Sequence, residues 1–267
     1  MRVFGFVFML LALTAARAEP SSPWEIGIGV GGVSGADYRG ADEEQGHVLP
    51  FPYVLYHGER VTIDQEGARG RLFESPRLTF YISAGAGLPA DSEKNAARAG
   101  MPDLWPTGEI GPSLDLRLWQ DAARRHLWSL RLPVRAVFAT DLTGVRDTGI
   151  LFAPHLDYRG PGLIAAGWLT NLSVGPLFAT ERYHEYYYEV ERAYVIPGRP
   201  AYEARGGYSG SRLTLALSRD YGRIWVGMFV RYDRLDGAVF ADSPLVKRDD
   251  ALMAGAAVTY ALARGRR

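Results

Sequence analysis

Apolar and polar residues alternate along most of the chain, and this period of two constrains the fold more than any other feature. In LWSLRLPVRAVF, the even-numbered residues from Trp128 to Phe138 are apolar, whereas Arg131 and Arg135 fall on the opposite face. Segments 114–118, 213–218 and 252–262 alternate in the same way. Because side chains alternate between the two faces of a β-strand, each segment predicts a strand with one apolar and one polar face. No segment of comparable length shows a convincing 3.6-residue period, so the sequence predicts an all-β fold.

About twelve candidate strands are separated by turn signals such as His57-Gly58 and Tyr221-Gly222. They begin near residues 24, 46, 60, 77, 107, 127, 148, 162, 183, 211, 223 and 251. The strand near residue 183 is the least secure, so ten strands remain the alternative. Each candidate is close to the ~9–11 residues that a tilted strand needs to cross an outer membrane.

The strand number decides which face of the sheet is dry. A barrel of about eight strands already has a filled interior, so an apolar lining in ten to twelve strands would leave a large dry void. The reverse arrangement gives a lipid-facing apolar band around a polar, wettable lumen. An arginine facing lipid near the midplane costs roughly 2–4 kcal/mol. We therefore predict a transmembrane antiparallel up-and-down β-barrel whose lumen-facing residues include Asp115, Arg117, Arg131 and Arg135.

The amino-terminal segment has the pattern of a secretory signal peptide. Arg2 precedes an apolar run over residues 3–13, and Ala16 and Ala18 form an A-x-A cleavage pattern. The apolar run is shorter than the roughly 18 residues of a membrane-spanning helix. We predict that residues 1–18 are cleaved and that residues 19–267 form one domain, since no Ser/Pro/Gly-rich linker divides them. The expected location is the outer membrane of a Gram-negative type of cell.

Composition excludes several other classes. The chain has no cysteine, so disulfides do not hold this exported domain together. It has 30 basic and 30 acidic residues, which argues against nucleic acid as a partner.

Aromatic residues are predicted to mark the membrane–water boundary, where the ring is dry and its polar group is wet. A tyrosine-rich segment, YHEYYYEVERAY, covers residues 183–194. A sugar-stacking platform is the alternative for this segment. The predicted interfacial residues are Trp128, Tyr183, Tyr186, Tyr188 and Tyr260, and the three tyrosines 183, 186 and 188 are expected at the rim or in the loop above it.

Three motifs resemble catalytic or cofactor-binding sequences, but their contexts do not fit. GIGVGG, residues 27–32, matches G-x-G-x-x-G but lies in a predicted strand with no helix after it. His184-Glu185 lacks a second histidine at position 188, and the segment 207–210 lacks the G-x-S-x-G spacing. We predict no catalytic residues, no cofactor and no metal site. The acidic residues 42–44 and 249–250 are predicted to be solvated loop charges, with calcium or lipopolysaccharide-bridging cations as the alternative.

Four segments, in order, resemble signatures of the MltA-interacting protein (MipA)/OmpV family of outer-membrane proteins. ADYRGADEEQGHVLPFPYVLYHGERVTID resembles its amino-terminal signature, and ARAGMPDLWPTGEIGPSL resembles its R-x-G-M-P-D-L…G-P block. YYYEVERAYVIPGRPAYEARGG resembles its tyrosine-rich Y-G-V segment, with Glu189 in place of glycine, and ADSPLV resembles its D-S-P-[LIV]-V motif. The resemblance covers essentially the whole chain after residue 18.

This resemblance implies a non-enzymatic outer-membrane scaffold that joins a murein lytic transglycosylase to a penicillin-binding protein, with outer-membrane lipid and lipopolysaccharide around it. From the residues, two alternatives remain: a pore for small solutes, and an outer-membrane hydrolase in which His126, His155 or His184 has a serine or acidic partner. The functional surface is predicted in the long loops at about 88–106, 175–210 and 236–250, because loops on a rigid barrel are free to vary and to bind.

Overall fold

The computed structural model of the 267-residue chain describes residues 22–64, 67–141 and 143–265. The predicted signal peptide, residues 1–18, lies outside the described residues. Among the described residues, none of the helices combines the length and the hydropathy of a membrane span.

Thirteen strands form one antiparallel sheet that closes on itself, because β1 pairs with β13 as well as with β2. Strands β8 and β9 occupy one position between β7 and β10, so the barrel has twelve strand positions. This confirms the predicted all-β, transmembrane-type barrel and its strand number. The strands are β1 Trp24–Ala36, β2 Glu44–His57, β3 Val61–Asp64, β4 Gly67–Glu74, β5 Leu78–Gly87, β6 Thr107–Gln120, β7 Leu127–Thr140, β8 Val145–Phe152, β9 His155–Pro161, β10 Leu169–Ala179, β11 Gly207–Tyr221, β12 Ile224–Arg234 and β13 Asp250–Arg264.

The interruption between β8 and β9 has a local cause. Pro154 lies between them and cannot donate a ladder hydrogen bond. Its carbonyl oxygen lies 2.0 Å from the position that a Cβ on Gly175 would occupy. Only glycine at position 175 therefore allows β10 to pass this close to the break.

The outward face of the barrel is apolar. Along β1, Ile26, Ile28 and Val30 are exposed, and Val258 on the neighbouring β13 is 50% exposed. Their sequence neighbours Gly27 and Thr259 are buried on the inward face. Exposed apolar residues at every second position around a closed barrel form the lipid-facing band of an outer-membrane protein. The predicted orientation of the apolar face is confirmed.

The interior differs from the predicted lumen on one side. From β12 through β2, large rings point inward, and Trp225 and Phe229 are buried in an apolar cluster. The glycines of the GIGVGG segment make room for such rings, since a Cβ on Gly27 would lie 2.5 Å from the Tyr53 ring. This part of the interior is packed rather than wettable, and the glycines of the dinucleotide-like motif serve strand packing.

The predicted strand near residue 183 is wrong. Glu181–Tyr188 form an α-helix, α1, in the loop between β10 and β11. The strand predicted near residue 162 begins later than expected, since β9 ends at Pro161 and β10 begins at Leu169. The short strand β4 was not predicted. The count of twelve is correct because this missed strand offsets the false one at 183.

Candidate functional site

All the long connections lie at the barrel end opposite the first residue of β1 and the last residue of β13. They cover residues 37–43, 88–106, 180–206 and 235–249. The connections at the other end have two to seven residues and cover 58–60, 75–77, 121–126, 162–168 and 222–223. The two ends therefore offer different surfaces, one built of packed loops and one built of tight turns.

The long loops pack on one another around a common apolar core, and we call this unit the loop cap. Tyr188 and Phe240 stack face to face with their ring centroids 3.7 Å apart, and both side chains are buried. The Tyr38 hydroxyl donates to the Leu245 carbonyl at 2.7 Å, and the Ser243 hydroxyl donates to the Tyr188 carbonyl at 2.7 Å. Residues from all four loops thus form a second core above the barrel.

Helix α1 places three of the predicted interfacial tyrosines in the loop cap. Tyr183 and Tyr188 are 8% and 1% exposed, and the Tyr186 hydroxyl donates to the Trp105 carbonyl. Burial raises the pKa of Tyr188 and raises the pKa of Tyr186 to about 12. Rings buried in this way cannot face lipid, so the prediction for these three residues is corrected from the membrane boundary to its alternative, the loop above the rim, where they hold the loops together.

The other two predicted interfacial residues lie on the outward face toward the short-turn end. Trp128 packs at 5.0 Å from the Tyr158 ring, and the Tyr158 hydroxyl lies 2.8 Å from His126 Nδ1. Tyr260 is 44% exposed on β13. Their location at the membrane boundary stays a prediction.

A serine–histidine pair lies inside the loop cap, and it concerns the hydrolase alternative. His184 Nε2 is 2.9 Å from Ser209 Oγ, and Nδ1 is 2.5 Å from the Arg205 carbonyl oxygen. Because a carbonyl only accepts, Nδ1 carries the proton and Nε2 accepts from the serine hydroxyl. Arg39 also donates to Ser209 Oγ, at 2.7 Å. Burial, assisted by the charge of Arg39, lowers the pKa of His184 to about 4.

Both members of this pair are 0% exposed. The His184 ring lies between other rings of the loop cap, with the Phe240 centroid at 4.8 Å. A substrate carbonyl has no path to the serine oxygen in this arrangement. The hydrogen bonds from Arg39 to Ser209 and from Ser209 to His184 join the first loop, the start of β11 and α1. Their role is therefore structural.

The barrel interior contains a cavity of about 300 Å³ beneath the loop cap. This volume is at the lower end of the range of roughly 300–1,000 Å³ that is common for small-ligand pockets. The lining contains six arginines and four carboxylates. The polar part of the interior therefore carries an excess of positive charge, in contrast to the apolar part beside β12, β13 and β1.

Three of the four predicted lumen residues form inward ion pairs. Arg131 Nε lies 3.1 Å from Asp115 Oδ2, and Arg135 Nη1 lies 3.2 Å from Glu109 Oε2. Arg131 and Arg135 line the cavity. Arg117 lies two residues beyond Asp115, and its guanidinium donates to the Pro76 carbonyl in a short turn. Arg117 is thus at the rim of the barrel and away from the cavity.

Further charged residues of the interior were not singled out in the sequence. Arg212 on β11 pairs with Asp233 on β12 at 2.8 Å, and Arg231 lies two residues before Asp233 on the same face. The sequence RYDR at the end of β12 contains the signal, because its alternation places Arg231 and Asp233 on the same face of the strand. In the described part of the chain, no group of three or more histidine, aspartate and glutamate side chains is arranged to hold a metal ion.

The segments that carry the family resemblance converge on the loop cap. Tyr38 comes from the amino-terminal signature, Leu104 from the R-x-G-M-P-D-L block, Tyr188 from the tyrosine-rich segment and Leu245 from the D-S-P motif. All four are buried in its apolar core. The predicted functional loops at about 88–106, 175–210 and 236–250 are also part of this unit, so the motifs describe how the cap is built.

The family model of MltA-interacting protein MipA matches residues 28–262. A comparison with curated protein sequences finds no match.

Among solved structures, the chain is similar to a bacterial polysaccharide outer membrane secretin, with 8% identity, a TM-score of 0.42 and coverage of 90% of this chain and 99% of that chain. It is similar to the outer membrane protease OmpT from Escherichia coli, with 8% identity, a TM-score of 0.32 and coverage of 90% and 96%. For the outer membrane protein OprG from Pseudomonas aeruginosa the identity is 9%, the TM-score 0.21 and the coverage 89% and 93%. Similarities at these TM-scores carry no information about function.

Proposed function

Because the chain belongs to the family of MltA-interacting protein MipA, we propose that this outer-membrane barrel is a non-enzymatic scaffold that binds a murein lytic transglycosylase. The proposal extends to a second partner, a penicillin-binding protein, so that one barrel brings a murein-cleaving and a murein-synthesising enzyme together. The family membership carries the proposal.

The interior of the barrel supports a binding role over a catalytic one. The serine–histidine pair His184–Ser209 is buried at 0% exposure under the loop cap. The lumen arginines Arg131 and Arg135 are engaged with carboxylates. A barrel whose reactive groups are enclosed in this way has its outer surfaces left for interaction with other molecules.

The short-turn end is the surface that we assign to the murein enzymes. In outer-membrane barrels the short turns face the periplasm and the longer loops face the cell exterior. Two acidic residues lie in the short turns, Glu59 and Asp121, against five arginines. The arginines are Arg60, Arg77, Arg124, Arg125 and Arg223, and all five are exposed. A positively charged ring of this kind attracts a partner with an acidic face.

Binding of a lytic transglycosylase to the barrel in lipid nanodiscs tests the proposal. We expect concentration-dependent binding in biolayer interferometry, and we expect R60E/R77E/R124E together to weaken it at least tenfold, because like charges then face each other. The matched control is E191K/E203K/D242K, three exposed acidic residues of the loop cap, which should bind as the parent does. Binding no stronger than that of an unrelated barrel of equal size would refute the scaffold role.

A pore remains the second candidate, because a cavity with charged walls lies in the lumen. The loop cap covers the mouth of the barrel, so we expect a sealed planar bilayer at high protein density. Stable conductance steps whose ion selectivity changes in Arg135→Glu would favour the pore.

A further inference from the structure

The barrel wall has an opening between β2 and β5. β2 pairs with β1 from Trp24↔Tyr56 to Ala36↔Glu44, but in the described residues it pairs with β3 only at Tyr56 and His57. On the other side, the pairing of β5 with β4 ends at Ser83 in the described residues, whereas β5 continues to Gly87 along β6. Among the described residues, no ladder therefore joins 44–55 to 84–87, which border this opening. We call this opening the lateral window.

The lateral window is closed above and below. The 88–106 loop is tied to the first loop above it, where Asn95 Nδ2 donates to Asp37 Oδ2 at 2.8 Å and the Ala96 amide donates to Glu43 Oε1 at 2.8 Å. The short β3–β4 hairpin forms its lower edge. It is thus a side opening in the half of the wall nearest the loop cap, separate from the mouth of the barrel.

Two prolines adapt β2 to an open edge. The His57 amide donates to Pro23 on the β1 side, and the Gly58 amide donates to Val61 on the β3 side. Amide directions alternate along a strand, so the even-numbered residues of β2 direct their amides toward the lateral window. Pro50 and Pro52 are at such positions and have no N–H to leave unpaired. The carbonyl groups of this edge remain, and in hydrocarbon they need a polar partner.

The lateral window opens into the cavity. Ala84 and Ala86 are on the outward face of β5, and both line the interior cavity. Leu49 is on the same, inward face of β2 as Phe51 and Leu55, but its side chain is 50% exposed. Outward residues that contact the interior, together with an inward residue that is accessible, are what a gap in the wall produces.

An apolar path leads from the lateral window to one arginine. Phe51, Leu88 and Met253 each pack against the inward apolar cluster. Met253 Sδ lies 3.9 Å from Arg231 Nη1, so this path ends at the Arg231 guanidinium. Leu88, Met253 and Arg231 all line the cavity.

Arg231 has an unmatched charge. Its Nε is buried and has no hydrogen-bond partner among the described residues. The neighbouring Asp233 is engaged by Arg212 at 2.8 Å, and in the described part of the chain no carboxylate forms an ion pair with Arg231. A buried guanidinium is costly unless it is paired and hydrogen-bonded. The site is therefore short of one anionic acceptor.

We propose that the cavity binds a single-chain amphiphile with one carboxylate head, of the fatty-acid class, which enters from the bilayer through the lateral window. The head pairs with Arg231, and the tail lies along Met253, Leu88 and Phe51 toward the hydrocarbon. The apolar entrance excludes small hydrophilic anions, and the Arg231 guanidinium selects a negatively charged head group. The small cavity volume excludes two-chain lipids. This binding site does not depend on the scaffold role.

The first test measures equilibrium binding to the full barrel in nanodiscs, with empty nanodiscs as the blank. The probe is 11-(dansylamino)undecanoate, displaced by dodecanoate, by dodecanol or by acetate. We expect dodecanoate to displace the probe, dodecanol to do so at least tenfold more weakly, and acetate to have no effect. Loss of a charge-assisted hydrogen bond in Arg231→Met should weaken dodecanoate binding about ten- to a hundredfold. Arg234→Gln, three residues along the same strand and outside the cavity lining, is the matched control and should leave it unchanged.

The second test concerns the route of entry. Ala86→Trp places a large ring in the lateral window, so the association rate of the probe should fall at least fivefold. Ala254→Trp, on the exposed outward face of β13, should bind at the parental rate. Equal displacement by dodecanoate and dodecanol, or parental affinity in a folded Arg231→Met barrel, would overturn the head-group assignment. Parental association rates in Ala86→Trp would overturn the lateral route.

Discussion

Truncation of Phe240 is the most informative perturbation of the loop cap. The Phe240 ring is 0% exposed, stacks on Tyr188 at 3.7 Å and contacts the His184 ring at 4.8 Å, and the Arg39 guanidinium lies 5.8 Å from its centroid. Removing a fully buried phenylalanine side chain costs about 3–5 kcal/mol, from lost burial and from the cavity left behind. Because these contacts join different loops, we expect Phe240→Ala to loosen the cap while the strands of the barrel stay paired.

Hydrogen exchange measures this directly. At 1.36 kcal/mol for each factor of ten, a loss of about 3–5 kcal/mol corresponds to roughly a hundredfold to several thousandfold faster exchange of the α1 amides, up to the limit set by unprotected amides. Amides of β6 and β11 should keep their parental rates. Val239→Ala, at the partly exposed neighbouring position, is the control and should change α1 exchange by less than about tenfold. Parental α1 exchange in Phe240→Ala would refute the view that the loops share one core.

Two further predictions follow from the same contacts. The pKa of His184 is lowered from 6.5 to about 4 in the folded cap, so the unfolded cap binds the proton more tightly. The stability of the cap therefore falls as the pH decreases from 6.5 to 4, by up to about 3 kcal/mol. Near-UV circular dichroism should show this loss, and His184→Gln should remove its pH dependence. A Cβ on Gly27 would lie 2.3 Å from the Tyr260 carbonyl oxygen and 2.5 Å from the Tyr53 ring, so Gly27→Val should destabilise the barrel to urea by about 1–3 kcal/mol or more. Gly108→Val is the control and should be tolerated, because a Cβ on Gly108 meets nothing within 4 Å. Equal urea midpoints for the two variants would contradict the packing of rings over β1.

The sequence was sufficient for the barrel wall because each wall strand faces two uniform environments. In LWSLRLPVRAVF the lipid side and the interior select opposite residue types at successive positions, so β7 was predicted from its start at Leu127. The same alternation placed Arg131 and Arg135 on the polar face. A period of two can be read within a single strand, without knowing which strands lie beside it.

The loop cap was not predictable in this way. The sequence predicts a strand that begins near residue 183, yet Glu181–Tyr188 form a helix whose rings pack on Phe240 and Tyr38. Those partners are distant in sequence, and nothing in eight residues reveals them. The short strand β4, with the sequence GARGRLFE, has few apolar positions and pairs within a short hairpin, so its pattern was too weak to predict a strand. Among the described residues, Arg231 lacks an ion-pair partner because Arg212, on the neighbouring strand, pairs with Asp233. This pairing forms only in the assembled barrel, so the sequence alone does not reveal it.

The orientation of the apolar face is the central claim, and site-directed spin labelling tests it most directly. The chain has no cysteine, so single cysteines can be introduced along β13 from position 252 to position 262 and labelled in liposomes. We expect oxygen accessibility to peak at the even positions, including Val258 and Tyr260, and accessibility to a water-soluble nickel reagent to be low there. Odd positions such as Thr259 should show low oxygen accessibility. Even positions that collide with the nickel reagent and are shielded from oxygen would show that the apolar face does not contact lipid, and the account of an outer-membrane barrel would be contradicted.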